Sequence, residues 1–312
     1  MVRLGVLDVG SNTVHLLVVD AYRGGHPNPT HSSKSVLRLA ENLTRSGRLS
    51  AAGEQSLIDA VARAKKDARS QGCDDLLAFA TSAVRDASNS ASVLARVKRE
   101  TGVELEVLTG TDEALLTFLA VRRWYGWSAG RLLALDIGGG SLEIAVGIDE
   151  KPELAVSLPL GAGRMSREYL NGDPPDKKAL ADLREHVETT LAKPAKDIAA
   201  VGASDRIVGT SKTFRSLARL TGAAPSTAGP RASRHLTLEG LGQLIGFISR
   251  ISSADLAELD GVSATRSQQL LAGAVVAEVA MKQLGIGAVQ ICPWALREGV
   301  ILRRLDWLEG VE

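Results

Sequence analysis

Residues 4–18, LGVLDVGSNTVHLLV, align without a gap on residues 132–146, LLALDIGGGSLEIAV, at a constant offset of 128. The alignment sets Leu4 on Leu132, Leu7 on Leu135, Asp8 on Asp136, Gly10 on Gly138 and Val18 on Val146, with Thr13 facing Ser141. Self-similarity of this kind marks a repeated structural unit. Each copy reads as an apolar strand, an Asp-x-Gly turn and a second apolar strand, so a β-hairpin is predicted at the head of each half. Gly10 and Gly138 suit the turns because glycine reaches backbone conformations closed to other residues. Such a turn exposes successive N–H groups that together bind anionic oxygens. Asp8 and Asp136 end the first strands. A carboxylate beside bound phosphate is repulsive unless a cation such as Mg²⁺ lies between them. One hairpin alone would be an ordinary glycine turn; two in register point to a duplicated phosphate site.

The rest of the chain fits two α/β halves. A length of 312 residues is comfortable for two domains. Residues 51–71 are predicted helical, with Leu57, Ile58, Val61, Ala64 and Ala68 on one side. LLAFAT (76–81) reads as a buried strand, residues 93–100 as a helix, VELEVLT (103–109) as an alternating strand, and residues 112–125 as a helix. The boundary falls near Gly126–Gly130, giving a first domain of 1–127 and a second of 128–298. A late helix is expected from about Thr265 to Leu284, and a terminal one over about 299–312 that packs back on the first domain.

Several classes of function are disfavoured. A formal net charge of +1 gives no global field for nucleic acid or a membrane surface. The apolar stretch Leu270–Met281 is interrupted by Glu278 and is too short to span a bilayer. Met1-Val2-Arg3 runs straight into a strand-like segment, so no secretory leader and a cytoplasmic location are expected. Cys73 and Cys292 have no metal-ligand spacing and read as two small apolar thiols. Charge is nevertheless local: from Arg206 to His235 there are six Lys or Arg residues and no Asp or Glu. That stretch is either a solvated face or a means of capturing a polyanion.

With these motifs in view, the chain resembles the exopolyphosphatase and guanosine pentaphosphate phosphohydrolase family, short two-domain type, of the actin, sugar kinase and heat-shock chaperone superfamily. The stretches that carry the resemblance are DVGSN (8–12), ATSAVRDA (80–87), GTDEA (110–114), DIGGGSLE (136–143), VGTSKTFRSLA (208–218) and PWALREGVI (293–301). GTDEA departs from the pattern: Asp112 stands where the family commonly has a second Glu. The resemblance implies an α/β fold of two similar actin-like, ribonuclease H-like domains, with mixed sheets flanked by helices and a cleft between them. It implies hydrolysis of the terminal phosphoanhydride of inorganic polyphosphate, assisted by Mg²⁺, with Mn²⁺ or a monovalent cation as further candidates. Guanosine pentaphosphate is the alternative substrate, with guanosine tetraphosphate or a nucleotide as competitor. A non-catalytic polyphosphate or alarmone sensor is the third reading, and a homodimer fits the family.

Residue by residue, Glu113 fits two roles. An acidic residue in a first helical turn complements the macrodipole, and the resemblance assigns the catalytic, water-positioning Glu to this position. Arg85 offers a planar fork for phosphate, or a surface ion pair with Asp86. Glu143 is either an exposed strand carboxylate or, by the resemblance, part of the catalytic and metal set with Asp136 and Asp8. Ser11, Asn12, Gly138, Gly139, Gly140 and Ser141 are the expected phosphate donors. Gly209, Thr210, Ser211 and Lys212 open a helix after a strand, where free N–H groups bind anions or a hydroxyl simply caps the helix. His15, the repeat partner of Glu143, reads as structural.

Overall fold

The structure, a computed structural model, describes residues 2–22, 25–44 and 46–309. The chain forms two compact units, Met1–Glu113 with Arg297–Glu312, and Ala114–Leu296. Positions 310–312 of the expected terminal helix lie outside the described residues.

The first unit opens with the antiparallel strands β1 (Val2–Val9), β2 (Thr13–Ala21) and β3 (Pro29–Val36). Helix α1 (Ala51–Ser70) then crosses to β4 (Asp75–Ala80), which pairs parallel to β1. The short α2 (Ser82–Arg85), α3 (Ser90–Thr101) and β5 (Glu106–Val107) follow, and α4 (Gly110–Tyr125) runs across the division between the units. The sheet order is β3-β2-β1-β4-β5. The periodicity of α1 is that of its packing: Leu57, Ile58, Val61, Ala64 and Ala68 are all buried. Its N-cap Ser50 accepts from the Gly53 N–H, satisfying one of the orphan donors of a first helical turn. The strand expected over 103–109 is only two residues long. Just Glu106 and Val107 pair with β4, at Phe79 and Ala80, and the Leu108 N–H adds a last bond to the Ala80 carbonyl at 3.0 Å; Val103 and Leu105 are buried ahead of the strand.

The second unit repeats the plan. Strands β6 (Leu132–Ile137), β7 (Leu142–Gly147) and β8 (Leu154–Leu158) are antiparallel, and α5 (Ala162–Tyr169) and α6 (Lys177–Val201) follow. Then come β9 (Arg206–Gly209), α7 (Ser211–Leu220), β10 (His235–Thr237), α8 (Leu238–Ile248), α9 (Ser253–Ala257), α10 (Ser267–Gln283) and β11 (Ala288–Ile291). The last helix, α11 (Leu296–Glu309), ends the chain's described part. The sheet order, β8-β7-β6-β9-β11-β10, matches that of the first unit with one antiparallel edge strand added. Helix α10 is buried along nearly its whole length. Its Gly273 lets α5 and α7 approach: a Cβ there would lie 2.6 Å from Thr213 and 3.1 Å from Ala162.

The sequence repeat is a structural repeat in strand register and turn bond. Asp8 pairs with His15 as Asp136 pairs with Glu143, and Val9 with Val14 as Ile137 with Leu142. Each turn is closed by one bond of equal length: the Gly10 N–H to the Thr13 carbonyl at 2.9 Å, and the Gly138 N–H to the Ser141 carbonyl at 2.9 Å. No described helix is long and apolar enough to cross a membrane.

Candidate active site

In the first unit, Glu113 stands beside a helix cap without belonging to it. Thr109 and Asp112 form the cap of α4. The Asp112 N–H donates to Thr109 Oγ1 at 3.1 Å, and the Thr109 N–H and hydroxyl donate to Asp112 Oδ2 at 3.1 and 2.6 Å. This is a capping box with Asp in the place of Glu, so the departure at Asp112 has a structural role. Thr109→Ala should therefore lower unfolding free energy by about 1 kcal/mol, read as a shifted denaturant midpoint; an unchanged midpoint would show the box to be idle.

Glu113 itself is 8% exposed and turns to Arg85. The Arg85 Nη1 donates to Glu113 Oε1 and, at 3.0 Å, to the Leu108 carbonyl, while its Nε donates to Asp86 Oδ1 at 3.1 Å. Of the two alternatives for Arg85, the ion pair with Asp86 is present, and the same guanidinium also pairs with Glu113. Burial works against its charge, but Glu113 and then Asp86 outweigh it and raise the Arg85 pKa. The cation is locked on.

The first glycine loop is backed from behind. The Asn12 carbonyl accepts from the Leu37 and Arg38 N–H groups at 2.9 and 3.0 Å, and the Ser11 carbonyl from Ala40 at 3.2 Å. In a trans peptide the N–H points opposite to the C=O, so the following amides face the other way. Ser11 and Asn12 are buried, and Ser11 Oγ lies 3.0 Å from Ser82 Oγ. Asp8 has an arginine of its own chain nearby: Arg297 Nε is 3.8 Å from Asp8 Oδ2. Arg297 Nη1 also donates to His15 Nδ1, and His15 Nε2 lies 2.8 Å from Ser32 Oγ. Burial first, then Arg297 and Lys34, push the His15 pKa down to about 3, so the ring is neutral. Since Arg297 can only donate, the ring proton sits on Nε2 and goes to Ser32. The metal-ligand role expected of Asp8 therefore meets a competing cation already in place.

The second glycine loop is held more tightly. The Gly138 and Gly139 carbonyls accept from the Ala162 and Arg164 N–H groups at 2.9 Å each, and the Gly140 carbonyl from Arg164 Nε at 3.1 Å. Three consecutive carbonyls point at α5, so the N–H groups of Gly139, Gly140 and Ser141 point away from it. Such an arrangement of successive amides on one side of a turn suits an anion. Gly161 makes it possible, because a Cβ there would lie 2.3 Å from Gly140 C and Ser141 N.

Asp136 and Glu143 sit directly opposite each other on adjacent strands, and Glu143 is opposite Ser157 on β8. Opposite residues share a face of the sheet. Leu142 and Ile144, on the other face, are fully buried. Glu143 is 5% exposed, and its Oε1 accepts from Ser157 Oγ at 2.7 Å; it is not an exposed strand carboxylate. The chemistry of this donor set fits Mg²⁺, which is commonly held by one or two carboxylates with substrate phosphates and waters completing the shell. Among the described residues no three His, Cys, Asp or Glu gather into a larger cage.

The β9–α7 turn is tied to both neighbours of Asp136. The Thr210 N–H donates to the Leu135 carbonyl and Thr213 Oγ1 to the Ile137 carbonyl, each at 2.9 Å. The Thr210 hydroxyl donates to the Trp294 carbonyl at 2.9 Å. Both donors of Thr210 are therefore engaged, and it anchors the turn instead of offering a phosphate contact. Ser211 has φ +70°, a strained left-handed value for a non-glycine residue, of the kind that gathers at functional sites. Burial, then the like charges of Arg215 and Arg266, lower the Lys212 pKa.

Three contributors lie outside the residues expected from sequence. Ser82 follows Thr81 at the end of β4 as Ser211 follows Thr210 after β9, a second internal correspondence visible in the two Thr-Ser pairs. Gly161 and Gly163 form a Gly-x-Gly after β8, the signal of a close backbone approach. Arg297 is the third, inside the PWALREGVI stretch.

Comparison with known proteins follows the same lines. The model of the Ppx/GppA phosphatase family matches residues 18–307. The chain belongs to the Ppx/GppA phosphatase family. It is 63% identical to Exopolyphosphatase 1 of Mycobacterium tuberculosis over 304 residues, 97% of this chain and 88% of that protein. Among solved Ppx/GppA structures it is similar to the Aquifex aeolicus PPX-GPPA enzyme, with a TM-score of 0.79, 26% identity and coverage of 97% and 99%. An exopolyphosphatase from Cytophaga hutchinsonii shares the fold, with a TM-score of 0.87 at 24% identity over 99% of both chains. The two-unit α/β plan is thus the actin-like plan of Ppx/GppA proteins.

Proposed function

We propose that the chain is an exopolyphosphatase: water attacks the terminal phosphorus of inorganic polyphosphate, the bond to the bridging oxygen breaks, and orthophosphate leaves. The observation that carries this chemistry is the 138–141 loop, with three carbonyls tied to α5 and three amides turned the other way, beside Asp136 and Glu143. The M. tuberculosis relative supplies the substrate class.

The roles follow from the contacts. Phosphoryl transfer needs positioning and charge stabilisation more than covalent chemistry. Glu113 orients the attacking water and accepts its proton. Arg85, already charged and held by Glu113, Leu108 and Asp86 through Nη1 and Nε, presents Nη2 as a charge-assisted donor to a phosphoryl oxygen. The Gly138–Ser141 amides and the Ser11 and Asn12 loop supply fixed donors, and Ser211 and Lys212 add a hydroxyl and a cation. Asp136 and Glu143 would hold Mg²⁺, which neutralises charge on the phosphate oxygens when bound.

The test is orthophosphate release in Mg²⁺ from polyphosphate, guanosine pentaphosphate and ATP. Polyphosphate should be the best substrate by kcat/KM. Faster turnover of guanosine pentaphosphate would reassign the substrate, and binding of polyphosphate without release from any of the three would make the chain a sensor.

A further inference from the structure

The second unit holds a cavity of about 370 Å³ between the start of α7 and the segment that precedes β10. Lys212, Arg215, Arg219 and Arg234 line it, against the single carboxylate of Asp260. The volume is at the small end of ligand sites, roughly 300–1,000 Å³. No aromatic side chain lines it.

The cations are built in, not loosely displayed. Arg234 donates to four backbone carbonyls: Ala224 at 2.8 Å, Ala232 at 3.1 Å, Pro225 at 2.6 Å and Gly229 at 3.0 Å. None of these is an acid, so the guanidinium is fixed with its full charge. Arg219 is aimed by Asp260 and by the Ala223 carbonyl at 3.3 Å. It also lies against Gly261, where a Cβ would come within 2.4 Å of its Cγ. Arg215 Nε donates to the Ser211 carbonyl at 3.0 Å, and Lys212 belongs both to this wall and to the turn beside Asp136. Like charges crowded into a concavity repel one another, and an anion relieves the cost.

We infer that this cavity binds phosphate units further along the polyanion than the one being cleaved, so that it sets the preference for longer chains. The inference rests on the exopolyphosphatase reading and adds a second contact region to it. Rigid cations without a ring to stack on suit a run of phosphates better than a nucleobase. Held in place beforehand, they bind at little cost in ordering.

The experiment compares wild type, Arg219→Gln and Ser226→Glu. Ser226 is an exposed lining residue, so the second variant adds a negative charge without cutting any of the ties above. KM is measured for tripolyphosphate, long-chain polyphosphate and guanosine pentaphosphate, and the affinity for long-chain polyphosphate is also measured by calorimetry without turnover. In both variants the ratio of long-chain to tripolyphosphate KM should rise about tenfold, the scale of one lost charge-assisted contact, and calorimetric affinity should fall to match. An unchanged ratio and affinity would overturn the inference. So would a rise in KM for guanosine pentaphosphate alone, which would give the cavity to a nucleoside. Absence of orthophosphate release by wild type would sink the exopolyphosphatase reading instead, with calorimetry still deciding whether the cavity binds the chain.

Discussion

Glu113→Gln is expected to lower kcat for polyphosphate about 100- to 10,000-fold, the range for a lost general base, with KM little changed. The substitution keeps the shape and an oxygen that can still accept from Arg85 Nη1. It removes the charge and the ability to take a proton. An interaction used mainly in the transition state shows in kcat, whereas one used equally in the bound ground state shows in KM. Asp112→Asn next door is the control: it weakens the cap of α4 and should cost stability while sparing chemistry. Steady-state kinetics on both variants, with circular dichroism to confirm folding, decide the matter. Wild-type turnover by Glu113→Gln would remove this carboxylate from the reaction.

Gly161→Ala should be nearly as damaging, though Gly161 touches no substrate in the proposed scheme. Its new Cβ would lie 2.3 Å from Gly140 C and Ser141 N and 2.4 Å from Gly140 N. These are backbone atoms of the phosphate loop, and no side chain can rotate away to make room. The loop must move, and misplacement of about 1 Å can cost on the order of 100-fold in rate. A loss of kcat/KM of at least that size is expected for every substrate. Gly163→Ala is milder, at 3.0 Å from the Gly139 carbonyl oxygen, and gives a graded second point if the first variant folds poorly. Gly246→Ala on α8 meets nothing within 4 Å. It should leave activity intact and stabilise the helix by about 0.5–1 kcal/mol. Equal activity in the Gly161 and Gly246 variants would mean that the close approach does not shape the loop.

Much of the fold could be read from the sequence because the repeat fixes a strand pairing. The hairpin at the head of each half follows from the repeated Asp-x-Gly turn, whereas β7 is buried on both faces, Glu143 included, so Leu142 and Ile144 announced only one of them. Helices α1, α4 and α10 were legible from apolar spacing. The strand over 103–109 was overread: alternation reports burial on one side, but a ladder also needs a neighbour, and β4 meets it only over residues 106–108. Pairings made by folding were out of reach. Nothing local to Arg85 announces Glu113, and nothing local to Gly161 announces Gly140. Thr210 shows the reverse limit. Its residue type suits phosphate, yet its hydroxyl is committed to the Trp294 carbonyl.

The paired hairpins carry different end rows: Asp8, His15 and Lys34 in one, Asp136, Glu143 and Ser157 in the other. Turn bond and register are common to both, so these rows could diverge by point changes with no strand displaced. A duplicated scaffold of this kind lets selection rewrite one copy while the other preserves the ancestral task. Two facing carboxylates in one half, against a carboxylate facing a neutral imidazole in its twin, is what specialisation after gene doubling would leave behind, and related chains can be sorted by whether the residue opposite the first aspartate is a carboxylate.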